Sequence, residues 1–185
     1  IQDLMRHTAG LSNGVPGGSE LERRYHELTA TDRAPADFLA ALAPLPLHFQ
    51  PGARWDYGVG FEVLGLIVER VTGVRLADHQ TRHLFGPLGM TDTGYFVPPE
   101  KAKRFARPFA ADPVSGEPVN PRLRTVPPKR DSGGNHVYAT ALDYLRFAEL
   151  LRSCGTLDGR RYLGRKTVEL MTADQMTPDI QLDRL

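Results

Sequence analysis

Tyr57 is the residue of this chain whose surroundings best fit acid–base chemistry. It follows a turn at Pro51 and Gly52, and it precedes a long apolar segment that ends at Gly73. A tyrosine fixed at the start of a rigid helix can move protons between reacting groups, because its phenol both donates and accepts hydrogen bonds. A tyrosine that only anchors a buried helix would fit the same pattern, so both roles stay open on these residues alone.

Two other patterns match catalytic or metal motifs in part. Residues 10–14 read GLSNG and fit G-x-S-x-G, in which a strand leads into the serine and a helix leaves it. Here a helical segment precedes Ser12 and more loop follows, so a glycine-rich conformational loop without catalytic function is the preferred interpretation. His79 and His83 have the spacing of a zinc pair, but Gln80 stands where a metalloprotease needs Glu. We therefore interpret both histidines as surface residues and expect no metal site.

The remaining histidines and the single cysteine add no candidate for catalysis. The cysteine, Cys154, lies at a predicted helix end, where a packed thiol is the simpler interpretation. A single cysteine also excludes an intramolecular disulfide. A structural role is expected for each histidine that stands alone: His7, His26, His48 and His136.

Length and charge limit the classes of function. With 185 residues and a formal net charge of +1 at pH 7, the chain can form one domain or most of a larger one. Its basic residues are scattered among acidic ones, which argues against a nucleic-acid partner or an anionic membrane surface. No apolar run approaches the roughly 18 residues of a membrane span. The chain begins at Ile1 without an initiator methionine, so we expect the natural start and any targeting signal upstream.

Helices are expected to position these residues, with few strands. Ser19 and Glu22 have the spacing of a capping box, which predicts a helix start. In the helix that Thr140 would cap, the inward stripe is predicted to be Tyr144, Phe147, Ala148 and Leu151. Further helices are predicted at residues 35–43, 58–71, 76–84 and 167–171, and a short strand at 93–97.

The predicted helix at residues 58–71 is apolar at almost every position, which indicates burial on most sides. Its glycines lower its helix propensity, so we expect another segment to pack closely against them. These glycines are Gly58, Gly60 and Gly65.

Several segments occur in an order that one family shares. They are 7–11 (HTAGL), 51–73, 85–93 (FGPLGMTDT), 97–100 (VPPE), 132–134 (SGG), 139–147 and 157–172. Together they resemble esterases of the serine β-lactamase and penicillin-binding protein superfamily, which are related to class C β-lactamases. The likeness spans nearly the whole chain and is specific to the family rather than to a substrate.

The resemblance implies a β-lactamase/transpeptidase-like α/β fold. This chain would supply its helical domain and flanking parts, mainly α with a few short strands, and residues 1–185 would be a single partial domain. The family's nucleophile lies in a Ser-x-x-Lys motif, but no serine here has a lysine three residues later. Its third motif, on a strand, is missing as well. We expect both outside the chain, before Ile1 and after Leu185, and we expect the isolated chain to be inactive.

The resemblance also implies that Tyr57 is a general base and proton shuttle. A serine would form an acyl-enzyme with a small-molecule ester or amide, without metal or cofactor, and Tyr57 would carry the serine proton. Val59 stands where β-lactamases usually have asparagine. Because valine cannot hydrogen-bond a substrate amide, this residue favours the esterase branch.

Further substrate-binding roles follow from the same resemblance. Trp55 would shape the pocket for the acyl group. The loop at residues 11–16 would line the site through Ser12, Asn13 and Val15.

Two alternatives to an esterase remain. The first is a non-catalytic binding or scaffold protein that keeps the β-lactamase fold. The second is a β-lactamase or D-Ala-D-Ala peptidase, against which Val59 argues. The residues do not determine the substrate, the oligomeric state or the compartment.

Overall fold

Helices form most of the regular structure in the computed structural model, which describes residues 1–15, 17–119, 123–176 and 178–182. The longer helices are α2 (Glu20–Ala30), α3 (Pro35–Leu42), α4 (Gly60–Thr72), α6 (Ala141–Arg152) and α7 (Arg165–Thr172). Two short helices are α1 (Gln2–Met5) and α5 (Leu76–Gln80). The chain continues from α5 as a π-helical turn at Thr81–Phe85, and a 3₁₀-helix covers Pro99–Arg104.

The strands are short and form two separate pairs in the described part of the chain. Strand β1 (Arg54–Trp55) pairs in parallel with β4 (Gln181–Leu182). Strands β2 (Thr156–Leu157) and β3 (Arg160–Arg161) form an antiparallel hairpin. The pairing of β1 with β4 joins the turn before Tyr57 to the last residues that the structure describes.

The predicted strand at residues 93–97 is wrong. Only an isolated bridge forms there, between Gly94 and Tyr138. The Val97 N–H then donates to the carbonyl of Arg124 at 2.9 Å. Because the backbone changes partner within three residues, no continuous ladder can form.

The predicted capping box at the start of α2 is confirmed. The Ser19 hydroxyl accepts a hydrogen bond from the Glu22 N–H at 3.3 Å, and the Glu22 carboxylate accepts one from the Ser19 N–H at 2.7 Å. These bonds satisfy two donors that a helix start leaves free. Tyr25 and Leu28 then point inward and are buried.

Helix α4 packs closely against another segment, as its glycines predict. A Cβ on Gly65 would lie 3.2 Å from the Cα of Gly133. The absence of a side chain at Gly65 therefore lets the loop after Ser132 touch the helix. The helix ends at Gly73, whose φ of 73° is left-handed, as is common at a helix C-terminus.

The inward face of α6 differs from the predicted stripe. Tyr144 is 64% exposed and Ala148 is exposed as well, whereas Leu150 is fully buried. The Asp143 carboxylate decides the rotation of the helix, because it accepts hydrogen bonds from the Asp92 N–H and the Thr93 hydroxyl, both at 2.8 Å. The hydrogen bonds of Asp143 thus determine which face of α6 points inward, and the spacing of apolar residues alone did not predict that face.

Two apolar clusters form the core of the described residues. The first joins α2, α3 and the start of α4, and contains Tyr25, Leu28, Phe38, Leu42, Leu45, Val59 and Leu66. The second joins the end of the π-helical turn to α6 and β2, and contains Phe85, Leu88, Met90, Leu150 and Leu157. The first cluster lies directly behind the turn that carries Tyr57.

Candidate active site

Tyr57 lies between β1 and α4 with its side chain 52% exposed. Its backbone is nevertheless held, because the Asn13 N–H donates to the Tyr57 carbonyl at 3.1 Å. The buried Val59 follows two residues later and enters the first apolar cluster. The phenol is therefore open to solvent on a backbone that is tied down on both sides, which suits a group that must meet a substrate.

His7 contacts Tyr57 directly. Their ring centroids are 4.7 Å apart, and the imidazole also lies 5.1 Å from the ring of Phe61 and 5.9 Å from that of Trp55. The Nδ1 of His7 accepts a hydrogen bond from the Gly58 N–H at 3.3 Å. The sequence left His7 as an isolated structural histidine. The sequence offered one signal for His7, its place in the family-like block at residues 7–11. No rule of residue spacing predicts that this histidine contacts Tyr57.

His7 is held in its neutral form. Burial lowers the pKa of His7, and the negative charge of Asp56 opposes that shift only in part. Because Nδ1 accepts a backbone N–H, the proton of the neutral ring is assigned to Nε2. The imidazole beside Tyr57 is therefore an uncharged hydrogen-bond acceptor.

A half-buried carboxyl group lies next to Tyr57 in the chain. Burial raises the pKa of Asp56, against the opposing effect of His48 and Arg54. The His48 Nδ1 lies 3.6 Å from an Asp56 carboxylate oxygen, and the Ser12 side chain hydrogen-bonds the same carboxyl group. These contacts tie the segment before Tyr57 to the loop that contains Ser12.

The loop at residues 11–15 packs against the turn after Tyr57. A Cβ on Gly58 would lie only 1.8 Å from the Leu11 carbonyl oxygen, so only glycine allows this approach. Ser12 is 6% exposed, and its hydroxyl accepts a hydrogen bond from the Gly14 N–H at 3.1 Å. No strand enters Ser12 and no helix leaves it within these residues, so the nucleophile-elbow geometry is not formed.

The predicted substrate-binding residues divide into outward-facing and inward-facing groups. Asn13 and Trp55 are half-buried beside the turn, and Val15 is exposed. We expected the Val59 side chain to face a substrate, and this prediction is wrong. Val59 is 3% exposed and packs in the first apolar cluster. Ser12 is buried too, and its hydroxyl contacts the protein itself. Pro16, the last residue of the predicted loop, lies outside the described residues.

Two cavities lie elsewhere on the molecule. One of about 860 Å³ is lined by residues of α5, the 3₁₀-helix and the start of α6, including Asp92, Arg104 and Thr140. Another of about 540 Å³ is lined by residues that include Arg124, Arg130 and Tyr138. Tyr57 lines neither of these cavities, and its exposed phenol lies at the surface of the described residues.

The histidine pair on α5 and the following turn has its rings close together. The centroids of His79 and His83 are 4.6 Å apart. Among the residues that the structure describes, no three histidine, cysteine, aspartate or glutamate side chains gather where they could hold a metal ion. Within those same residues, every helix is too short or too polar to cross a membrane.

The positions of Tyr57 and of the segments around it can be compared with known proteins. The sequence model of the family described as Beta-lactamase matches residues 1–183 of the chain. The chain belongs to the beta-lactamase family. Its helices with few short strands match part of that fold, which confirms the predicted fold class and the resemblance to this superfamily.

Similar proteins include some that are named as enzymes. Protein Rv1367c of Mycobacterium tuberculosis is 37% identical over 186 residues, covering 97% of this chain and 45% of that protein. Esterase EstB of Burkholderia gladioli is 34% identical over 179 residues, covering 83% and 44%. A LovD6 mutant of simvastatin synthase from Aspergillus terreus matches in structure with a TM-score of 0.73 at 28% identity, covering 97% and 41%. The chain spans less than half the length of these relatives.

Proposed function

We propose that this chain supplies the helical part and the proton-transferring tyrosine of a serine esterase. The observation that carries the proposal is the half-exposed phenol of Tyr57, placed on a backbone fixed by Asn13 and by the start of α4. Membership of the beta-lactamase family and relatives named as esterases support it. Residues 1–185 would form one partial domain, and the nucleophile would come from a Ser-x-x-Lys segment outside them.

In this mechanism the serine hydroxyl attacks the carbonyl carbon of an ester. Its proton passes to the Tyr57 oxygen, whose deprotonated form the lysine of the Ser-x-x-Lys segment would favour. The new C–O bond forms in the same step, which generates a tetrahedral oxyanion. Collapse of that intermediate breaks the bond to the leaving alcohol, and Tyr57 returns the proton to the departing oxygen. Water then hydrolyses the acyl-enzyme by the same steps, releasing the acid and restoring the serine.

Relatives named as esterases support an ester over a β-lactam as substrate. The side chain of Val59 packs in the first apolar cluster and meets no substrate, so its position does not distinguish the two. The acyl or alcohol part of the ester would contact the surface beside Tyr57, through Trp55, Asn13 and Val15. Some relatives are named as acyltransferases, so an alcohol could replace water as the acceptor of the acyl group.

The test compares Tyr57→Phe with Tyr144→Phe in the full natural polypeptide that contains this chain. Loss of the Tyr57 hydroxyl should lower kcat for p-nitrophenyl butyrate by about 10²- to 10⁴-fold, the usual contribution of a general base. Tyr144 is exposed on α6 and serves as the matched control, whose loss of a hydroxyl should leave kcat unchanged.

Intact mass after treatment with a fluorophosphonate probe separates the alternatives. One adduct on the natural polypeptide, together with ester turnover, supports a serine hydrolase. A polypeptide that gains no adduct and turns over neither p-nitrophenyl butyrate nor nitrocefin would support the scaffold alternative. Faster turnover of nitrocefin than of the ester would favour a β-lactamase instead.

A further inference from the structure

We propose that His7 is a positioning residue for Tyr57, acting through the hydrogen bond that its Nδ1 accepts from the Gly58 N–H. The inference rests on the proposed role of Tyr57 in proton transfer. In this role the His7 imidazole takes no part in the reaction itself but fixes the direction of the Tyr57 phenol.

His7 holds the backbone on both sides of Tyr57. Its carbonyl oxygen accepts a hydrogen bond from the Asp56 N–H at 2.9 Å, and its Nδ1 accepts one from the Gly58 N–H at 3.3 Å. These donors belong to the residues immediately before and after Tyr57. One residue therefore holds the Trp55–Asp56 peptide unit before the tyrosine and the Tyr57–Gly58 peptide unit directly after it.

The imidazole ring also limits the directions open to the phenol. It lies 4.7 Å from the Tyr57 ring, tilted by 40°, and Phe61 and Trp55 contact its other sides. An exposed tyrosine would otherwise sample several rotamers. Contact with a ring that itself has two aromatic neighbours reduces that freedom.

The backbone of His7 adopts a left-handed conformation, which is uncommon for residues other than glycine. Its φ of 59° is left-handed, which costs free energy for a residue with a Cβ. Neighbouring bonds hold it there, because the Thr8 N–H donates to the Asp3 carbonyl at 2.9 Å and the Gly52 N–H donates to the Thr8 carbonyl at 2.8 Å. Strain retained beside a candidate catalytic group fits a role in positioning it.

Two substitutions separate the hydrogen bond from the ring. His7→Asn places an amide oxygen close to the position of Nδ1 and tolerates a left-handed backbone, but it removes the ring. His7→Phe keeps a ring of similar size and removes the acceptor. If the hydrogen bond positions Tyr57, we expect His7→Phe to lower kcat about tenfold with little change in KM, and His7→Asn to stay within about threefold of the parent.

A double variant shows whether His7 acts through Tyr57. In the Tyr57→Phe background, His7→Phe should cause no further loss of kcat, because there is no longer a phenolic proton carrier to position. A merely structural histidine would lower activity by the same factor in both backgrounds. Equal losses in the two backgrounds, or equal losses for His7→Asn and His7→Phe, would overturn the inference.

A measurement on the unaltered protein guards against variants that fail to fold. The ¹⁵N chemical shifts of the His7 ring should show an unprotonated Nδ1 and a protonated Nε2 at neutral pH. The opposite tautomer would remove the hydrogen bond and end the proposal. If Tyr57→Phe lowers kcat while His7→Phe does not, only the inference about His7 fails; if Tyr57→Phe keeps full activity, the proposed function fails and takes the inference with it.

Discussion

The turn that carries Tyr57 and the segment at residues 130–132 both lie against helix α4, but different forces hold them. The turn is held by backbone hydrogen bonds, a neutral imidazole and a glycine that admits a carbonyl group. The segment is held by charges: Arg130 and the Ser132 hydroxyl both bond the buried carboxylate of Glu62, and Asp131 accepts two hydrogen bonds from Arg75.

The difference between the two regions indicates where a change of charge would destabilise the fold. Around Tyr57 the contacts are mainly backbone hydrogen bonds and ring contacts, and the neighbouring Asp56 carboxyl group, which lies 3.6 Å from the His48 Nδ1, is only half-buried. Behind α4 the charges are paired and enclosed, and the Arg130 guanidinium also lies 4.2 Å from the centroid of the Phe38 ring. Removal of one partner there leaves the other buried without compensation.

The largest effect is expected from breaking the charged region. The side chains of Arg130 and Glu62 are only 9% and 8% exposed, so Glu62→Gln would leave a buried guanidinium without its counter-charge. We expect a loss of about 3–5 kcal/mol in the free energy of unfolding, measured by urea denaturation.

The matched control for Glu62→Gln is Glu169→Gln. Glu169 pairs with Lys166 at 2.6 Å on the surface of α7, where the Lys166 side chain is 92% exposed. Such a pair contributes less than about 1 kcal/mol. If the two substitutions cost the same, buried charge is not what holds the segment to α4.

The second-largest effect is expected from adding a side chain at Gly58, where the turn touches the loop at residues 11–15. A Cβ there would meet the Leu11 carbonyl oxygen at 1.8 Å, so Gly58→Ala must push the loop away from the turn. We expect a loss of about 1–3 kcal/mol in the free energy of unfolding, with a lowered kcat because the Tyr57 turn moves. Gly94→Ala is the control, since the nearest atom to its Cβ would lie 3.9 Å away. Equal stability of the two variants would contradict the close packing.

The smallest effect on the free energy of unfolding is expected from a change of pH. It concerns the turn that carries Tyr57, through His7 and Asp56. The folded protein lowers the pKa of His7, so on acidification the unfolded chain binds a proton first, near pH 6.5, and the folded state follows only at lower pH. Stability should therefore fall as the pH drops through this window. The raised pKa of Asp56 has the opposite sign, because the folded carboxyl group takes up its proton before the unfolded one does.

His7→Asn isolates the contribution of the imidazole to that pH dependence. Denaturation of this variant between pH 7 and pH 5 should show a flatter loss of stability than the parent, while His83→Asn, at an exposed histidine, should keep the parent slope. The charged and titratable groups near His7 are Tyr57, Asp56 with its partners His48 and Arg54, and the Asp3–Arg6 pair at the end of α1. An unchanged slope in His7→Asn would assign the pH dependence to one of those neighbours.

Local signals in the sequence predicted the elements near Tyr57 well. The capping box placed the start of α2, and the glycine-rich apolar segment placed α4 and its close packing. These features depend on residues a few positions apart, whose geometry a helix determines. The predicted position of Tyr57 at the start of that helix followed from the same signals.

Contacts between distant residues were not predictable from spacing. His7 reaches Tyr57, and Glu62 reaches Arg130 and Ser132, across long stretches of chain. Val59 occupies the core rather than the substrate surface because the turn after Tyr57 directs its side chain toward the first apolar cluster. The family motif placed Val59 in the sequence, but only packing decides which way a side chain points.

The pairing of β1 with β4 has a consequence for the order in which this protein is made. Trp55 pairs with Leu182, the last residue that the structure describes. During synthesis the turn that carries Tyr57 emerges from the ribosome long before its strand partner, while the neighbouring helices α2 and α3 can already pack. The neighbourhood of Tyr57 is therefore completed late, and a nascent chain that stops before residue 181 would hold folded helices beside a Tyr57 turn that lacks its strand partner.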